Sequence, residues 1–520
     1  MSARCLGVAA LAVLAISSRA SADEPAYVPP DFMMATPPLP VGVDPQSAWR
    51  LDLAEALKTA IHQNLGVVIE RESVAISRLS IETASGIFEP LLQASYAHSS
   101  ADQPPVTLQA GAANQILTTT DDNWQLTLTQ RLATGMVLSV QFANDRLDSA
   151  LGTAVEPLNY RTGVTVSATQ PLLRGFSTDL VIPRIDVLRA KIASARERDQ
   201  LVAVAVDVVE RTEDAYWDVV QALYTYDLQL RSQKRAEDQL KLTHRQIDAG
   251  LTPPSDLISA ESTLASRKLQ LVQAEGTVER NWDVLRSVLN LPREQWSRPI
   301  LPIDTPRFMA TEPSAERALQ TALEHRPELS RADRDLETSI LAMRQADNNK
   351  LPQIDLGLSG SAVGQDAGYN PALRQLGRVD APSWSVSLNL TWTPLRRATA
   401  AQAEIEKRHH TVAQVNRDQL VQTIWFGVRD AVRNQDNAAK QVSAAAKFRE
   451  LATENLDVEE RKFMSGTSSN FVVAQRQEEL AGAQLAELSA VLGHKKATAA
   501  LLRAEGRLLD ERGIELELKK

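Results

Sequence analysis

Few residues of this 520-residue chain are placed to do covalent chemistry. His409 and His410 are adjacent, and neighbouring positions on a helix point about 100° apart, so the pair suits a solvated face better than a metal. His62 and His325 stand near the ends of two similar stretches and read as residue choices of a repeat. The zinc pattern His-Glu-x-x-His, the phosphate loop Gly-x-x-x-x-Gly-Lys-Ser/Thr and the nucleophile elbow Gly-x-Ser-x-Gly are all absent from the sequence. The 65 acidic residues are dispersed along charged segments such as 195–200 and 459–463, as on solvated or inter-helix faces. No catalytic residue, metal or cofactor is expected, and an enzyme is not. What is left is two glycine turns, "DAGLTPPSD" around Gly250 and "MSGTSSN" around Gly466, each ending a very long helical pattern. Both glycines read as C′ positions that accept a positive φ. Thr252, and Ser469 or Asn470, read as caps of the helices that follow.

The elements that lead to these turns are unusual in length. Helical patterns cover 179–248 and 398–464, roughly 100 Å each. Shorter ones cover 51–88, 255–290, 313–350 and 470–506, about half as long. Two halves stacked end to end match one full-length neighbour. Helices this long imply a bundle, coiled coil or tube. The same phrase opens two of the short helices: "ALKTAIHQN" from Ala56 and "ALQTALEHR" from Ala318, 262 positions apart. Pro90 and Pro352 precede strands at the same offset. The chain therefore divides into a leader 1–22, an extended segment 23–50, a first copy 51–297 with strands in 91–170 and a turn at 249–255, a linker 298–312, a second copy 313–506 with strands in 352–393 and a turn at 465–470, and a tail 507–520.

The strands alternate with period two. Trp384, Val386, Leu388, Leu390 and Trp392 share one face, and Ser385, Ser387, Asn389 and Thr391 the other. Met136, Leu138, Val140 and Phe142 repeat the pattern, as do Trp124, Leu126 and Leu128, and Val164, Val166 and Ala168. An apolar face backed by small polar residues suits a membrane barrel with a wet lumen; a soluble sandwich is the alternative. Trp124, Trp384 and Trp392 read as an aromatic belt. The first copy holds 39 more residues than the second before its strand exit. Within that excess "TQRLATG" (129–135) echoes "TQPLLRG" (169–175) 40 positions on, as if one strand pair had been duplicated. Six strands follow, near 91–99, 123–132, 136–146, 160–170, 352–362 and 383–393. Six cannot close a barrel in one chain, where about eight is the minimum, so the chain must oligomerise or pair its strands elsewhere.

Residues 1–22 carry Arg4, an apolar run and Ala20-Ser21-Ala22, the layout of a secretory leader. The single cysteine, Cys5, lies inside it, so no disulfide is expected. Without Arg4 and Arg19, 54 of the 56 basic residues face 65 acidic ones, a charge of about −11 that argues against nucleic acid.

In the paired phrases, the exit "TQPLLRGF" and the turns "QIDAGLTPPSDLISAESTL" and "KFMSGTSSNFVVAQRQEEL", the chain resembles the TolC-like outer membrane efflux proteins across nearly all its mature length. The resemblance implies a mostly α, α+β fold: an outer-membrane β-barrel continued by a periplasmic α-barrel in a homotrimer. It implies partners too, namely a periplasmic adaptor protein and an inner-membrane pump, with outer-membrane lipid around the barrel. It implies adaptor docking at Gly250, Leu251, Gly466 and Thr467, where the family's valine is replaced by Ala249 and Ser465. It implies an aperture at Asp256, Phe463, Ser468, Val472 and Gln475. Of the family's polar latch only Asp256 is kept; Phe463 and Ser468 stand for a tyrosine and an arginine, and Val472 and Gln475 for aspartates. The expected function is the exit duct of a tripartite efflux or type I secretion system. The competing readings are a secreted coiled-coil scaffold without channel activity and an autonomous diffusion porin, whose chain would be strand-rich throughout.

Overall fold

The computed structural model describes residues 30, 33, 37–41, 43–103, 117–149, 158–250, 253–310, 312–465 and 467–516. The expected leader and residues 517–520 lie outside them, as do Leu251, Thr252 and Gly466.

In chain order the first elements are β1 (Trp49–Leu51), α1 (Leu53–Gln63) and α2 (Leu65–Ser85). They are followed by β2 (Leu91–Gln103), β3 (Leu117–Arg131), β4 (Val137–Ser149) and β5 (Leu158–Pro171). The first long hairpin is α3 (Ile185–Asp248) with α4 (Ser255–Leu289). Next come β6 (Ile300–Pro302), α5 (Ala315–His325), α6 (Pro327–Asn349), β7 (Gln353–Asp366), α7 (Tyr369–Arg378) and β8 (Pro382–Thr391). The second hairpin is α8 (Arg397–Met464) with α9 (Asn470–Glu505), and α10 (Leu508–Glu511) follows.

The helices expected over 51–88 and 313–350 are each broken. Asn64 leaves the helical region at φ −61°, ψ 125°, and its side chain accepts from the Gly66 N–H at 2.9 Å to start α2. Arg326 does the same at φ −72°, ψ 122°, because Pro327 follows and disfavours α geometry in the residue before it. The helix expected from 179 begins at Ile185, since Leu180 is held at φ 57°. The first cap of α4 is Pro254, not Thr252, and makes no side-chain bond. Ser469 is the N-cap residue of α9, with extended backbone.

All six long strands lie in one antiparallel sheet, ordered β2-β3-β4-β5-β7-β8. The observed strands are mostly longer than the alternation marks, up to 15 residues in β3. Register lines up the apolar phase across the whole sheet. One row reads Leu92, Leu128, Val140, Val166, Gly360, Trp384; the next outward-phase row reads Ala94, Leu126, Phe142, Val164, Ala362, Pro382. The opposite face is polar, where Ser359 and Ser361 bond Ser385 and Ser383 at 2.8 and 2.7 Å, and Gln141 donates to Gln125 at 2.6 Å. Among the described residues no helix is long and apolar enough to cross a membrane.

The main core sits around the middle of α3. Leu201, Tyr216, Leu223 and Tyr226 are fully buried there with Leu51, Leu285, Leu289 and Ile300. The two short strands β1 and β6 pair in parallel beside it. Tyr216 Oη donates to Asp304 at 2.6 Å, and the Trp282 indole donates to the Ile300 carbonyl at 2.8 Å. Burial, then the Asp304 carboxylate, pushes the Tyr216 hydroxyl far up; burial pushes Tyr224 up to about 12. Both phenols thus stay neutral donors: Tyr216 also reaches the Leu51 carbonyl of β1 at 3.1 Å, and Tyr224 donates to the Met33 carbonyl at 2.8 Å.

Candidate passage: tips, groove and barrel face

At the first tip Ala249 is the C-cap of α3, and Gly250 takes φ +70°, donating its N–H to the Ile247 carbonyl at 2.8 Å. A Cβ at Gly250 would meet nothing, so the glycine is needed for its backbone angle alone. At the second tip the Thr467 N–H and hydroxyl both donate to the Lys462 carbonyl, at 2.9 and 3.1 Å. That wraps the carbonyl end of α8 in the turn.

Of the expected aperture residues, Asp256 belongs to the first tip and Phe463, Ser468, Val472 and Gln475 to the second. Asp256 lines a groove of about 290 Å³ between α3, α4 and α9, with Arg235, Arg267, Ser469, Phe471 and Glu478. Phe463, Ser468, Val472 and Gln475 are not among its walls. The Ser468 hydroxyl donates to Glu459 of its own hairpin, which holds that carboxyl below its usual range. Phe463, Ser468 and Val472 are half-buried and Gln475 is exposed. Arg267 pairs with Glu478 at 3.3 Å, joining α4 to α9. Burial, with Arg267 and Arg231 nearby, pushes the Arg235 guanidinium down. The groove is therefore lined by both signs of charge, and Phe471 at its mouth is 73% exposed.

His409 and His410 point to different partners. His409 faces Glu406 at 3.4 Å, and His410 bonds Ser339 of α6 at 2.8 Å. Among the described residues no three His, Cys, Asp or Glu side chains converge as a metal site.

The apolar face of the sheet is bare. Trp384 is 82% exposed, and Val386, Leu388, Leu390 and Trp392 are exposed beside it. Trp124, Leu126, Leu128, Val140, Val166 and Leu358 carry the band across the other strands. Trp124 packs edge-on against Phe142 at 5.3 Å. Beyond the row of Trp124 the same face turns polar. His98, Asp122, Arg146, Tyr160 and Asp366 form one row, and Asp122 accepts from Tyr96 and Arg146 and faces His98, at 2.9, 2.8 and 2.7 Å. Helix α7 lies over that edge of the face: a Cβ at Gly364 would stand 1.9 Å from the Ala372 carbonyl oxygen. Sequence reasoning passed over this row and α7, although Asp122 and Arg146 stand in the apolar phase of their strands, which was a usable signal.

The family model described as outer membrane efflux protein matches residues 97–291 and 318–507. The fold is similar to the outer-membrane channel OprN, with TM-score 0.64 and 16% identity over 94% of this chain and 98% of that one. It is also similar to the CmeC outer membrane channel of Campylobacter jejuni, with TM-score 0.63 and 13% identity over 90% of each chain. The open state of the MtrE outer membrane channel of Neisseria gonorrhoeae gives TM-score 0.61 and 17% identity, over 93% of this chain and 98% of that one. Sequence comparison with curated proteins gives no match.

Proposed function

This chain belongs to the outer membrane efflux protein family, and we propose that it is the exit duct of a tripartite efflux or type I secretion system. In that role it carries substrate from an inner-membrane pump and periplasmic adaptor to the outside. The observation that carries the reading is one sheet with exposed apolar side chains on all six strands, whose strands β5 and β8 lead into helical hairpins 64 and 68 residues long on their first arms. A bare apolar band suits lipid, and hairpins of about 100 Å suit a crossing of the periplasm. A secreted scaffold would have no use for that band.

Three copies placed around an axis form the duct. Trp124, Trp384 and Trp392 sit in the belt at the bilayer interfaces. The turns at Gly250-Leu251 and Gly466-Thr467 dock the adaptor. Asp256, Phe463, Ser468, Val472 and Gln475 lie toward the aperture. The duct does not select cargo; the pump does. The full chain, expressed with its leader, is expected in the outer membrane as a heat-modifiable trimer that conducts ions in planar bilayers. Soluble recovery without conductance would establish the scaffold reading instead.

A further inference from the structure

The polar row above the lipid band borders an open cavity of about 260 Å³, lined by Asp122, Trp124, Asn144, Asp145, Arg146 and Tyr160 of the sheet and by Tyr369 of α7. It opens on the apolar-phase face, where Trp124, Asn144, Thr162 and Gly364 share one register row. Asn144 is 3% exposed, yet among the described residues neither its amide nitrogen nor its amide oxygen has a partner, and the buried Thr162 hydroxyl beside it has none either. Buried amides left unpaired are costly, so an unsatisfied donor and acceptor side by side mark a place for a ligand that supplies both.

We propose that this cavity binds a sugar ring, the headgroup of a glycolipid in the outer leaflet. The proposal rests on the outer-membrane reading above. The chemistry of the walls selects the ligand. Trp124, Tyr160 and Tyr369 offer aromatic surface to the C–H face of a pyranose, with Tyr160 and Tyr369 edge-on at 6.1 Å. The free amide of Asn144 donates to one hydroxyl and accepts from the next. The cation is already spoken for: Arg146 lies 2.8 Å from Asp122, which also holds Tyr96 and His98. A bare phosphate would meet a compensated guanidinium beside a carboxylate. An uncharged polyol meets no such conflict. Position selects the source, because the cavity begins where the apolar band ends and α7 roofs it at Gly364.

The test uses the full-length trimer in detergent, as wild type, Asn144→Leu and Tyr369→Ala, titrated with rough-type lipopolysaccharide and followed by native mass spectrometry. Competition is run with a soluble glucosamine disaccharide and with inorganic phosphate. Both variants are expected to hold the glycolipid at least about tenfold more weakly. Tyr369 stands on α7, outside the strands, so it tests the site even where Asn144→Leu fails to assemble. Competition by the disaccharide shows a site that takes the sugar free or lipid-borne; lipopolysaccharide alone binding shows the lipid-borne source. Equal retention by all three proteins, or competition by phosphate as strong as that by the sugar, overturns the proposal. Outer-membrane fractionation is read on the same preparations, so normal insertion without sugar binding sinks this site alone.

Discussion

Asn64 and Asn290 hold each other's chain ends. The Asn64 amide donates to the Val288 carbonyl at 3.0 Å, and the Asn290 amide donates to the Gln63 carbonyl at 2.9 Å. Asn290 is the αL end of α4, at φ 50°, and Asn64 is the break between α1 and α2. The half-length helix of the hairpin thus ends against the break in the upper helix. The other half of the chain makes the same junction with different residues. Gly506, the αL end of α9 at φ 76°, lies so close to the Arg326 break that a Cβ would sit 2.9 Å from the His325 carbonyl.

These two junctions differ in how they fail. Asn64→Ala removes a cap and an inter-helix bond, and is expected to cost about 1–2 kcal/mol. Gly506→Ala combines a positive φ with a backbone clash, and is expected to cost more, about 2–4 kcal/mol. Apparent melting of the purified protein should rank wild type, then Asn64→Ala, then Gly506→Ala. A melting point for Gly506→Ala equal to that of wild type would refute the junction.

At the first tip the requirement is purely one of backbone angle. Gly250→Ala should cost only about 1–2 kcal/mol, since open space surrounds its Cβ. Gly250→Pro fixes φ near −65° and deletes the bond to Ile247. Export is expected to drop in the proline variant while the protein still assembles in the outer membrane. Gly466→Pro is expected to behave alike. Unimpaired export and adaptor crosslinking in both would remove the turns from the docking role.

His494 of α9 carries a pH dependence. It is 4% exposed, neither ring nitrogen has a hydrogen-bond partner among the described residues, and Phe308 packs edge-on at 4.8 Å. Burial, with Lys495 adding repulsion, pushes its pKa below the ordinary 6.5. Between the unfolded value and the lowered folded one, the unfolded chain binds more protons, so stability falls as pH drops below about 6.5. It levels off once the folded pKa is passed. His494→Leu should flatten the part of the melting-temperature loss between pH 7.5 and 5.5 that this ring supplies. The same loss in both proteins would assign it to other groups.

The sheet was legible in the sequence because each strand keeps one phase for its whole length, and Trp384 to Trp392 shows it without a neighbour. The long helices were legible because Gly250 and Gly466 punctuate otherwise uninterrupted patterns. The break at Arg326 could have been read from Pro327, which disfavours helix in the residue before it. The break at Asn64 could not: the apolar period runs through it, and its amide is held at Val288, beside Asn290, more than 220 residues away. Helix α7 was hidden for a similar reason. Its sequence, YNPALRQLGR, has few apolar residues, and what seats Ala372 and Leu376 is the bare backbone at Gly364. The aperture residues came from family likeness; Ser468 donates to Glu459, and Asp256 lines the groove that Ser469 and Phe471 also line.

The last prediction concerns the number of strands around the pore. β3 and β4 ladder with neighbours on both sides, so they belong to the sheet and are no hairpin outside it. The free edges are β2 and β8, which run in opposite directions, so β8 of one copy can pair antiparallel with β2 of the next. Three copies of six strands then close eighteen. Diameter grows about linearly with strand number, so this barrel should be about 1.5 times as wide as one of twelve. The echo at 40 positions offers a way to undo the added pair. Deleting 130–169 joins Thr129 to Gln170, and Thr129 and Thr169 lie in the same phase of the sheet, Thr129 opposite Ser139 and Thr169 opposite Val137. The shortened strand can then meet β7 where β5 did, with its apolar residues still facing lipid. Cryo-electron microscopy in lipid nanodiscs should count eighteen strands in the wild type and twelve in the deletion, at unchanged helical length. A wild-type wall of twelve strands, with 117–149 outside it, would end the claim.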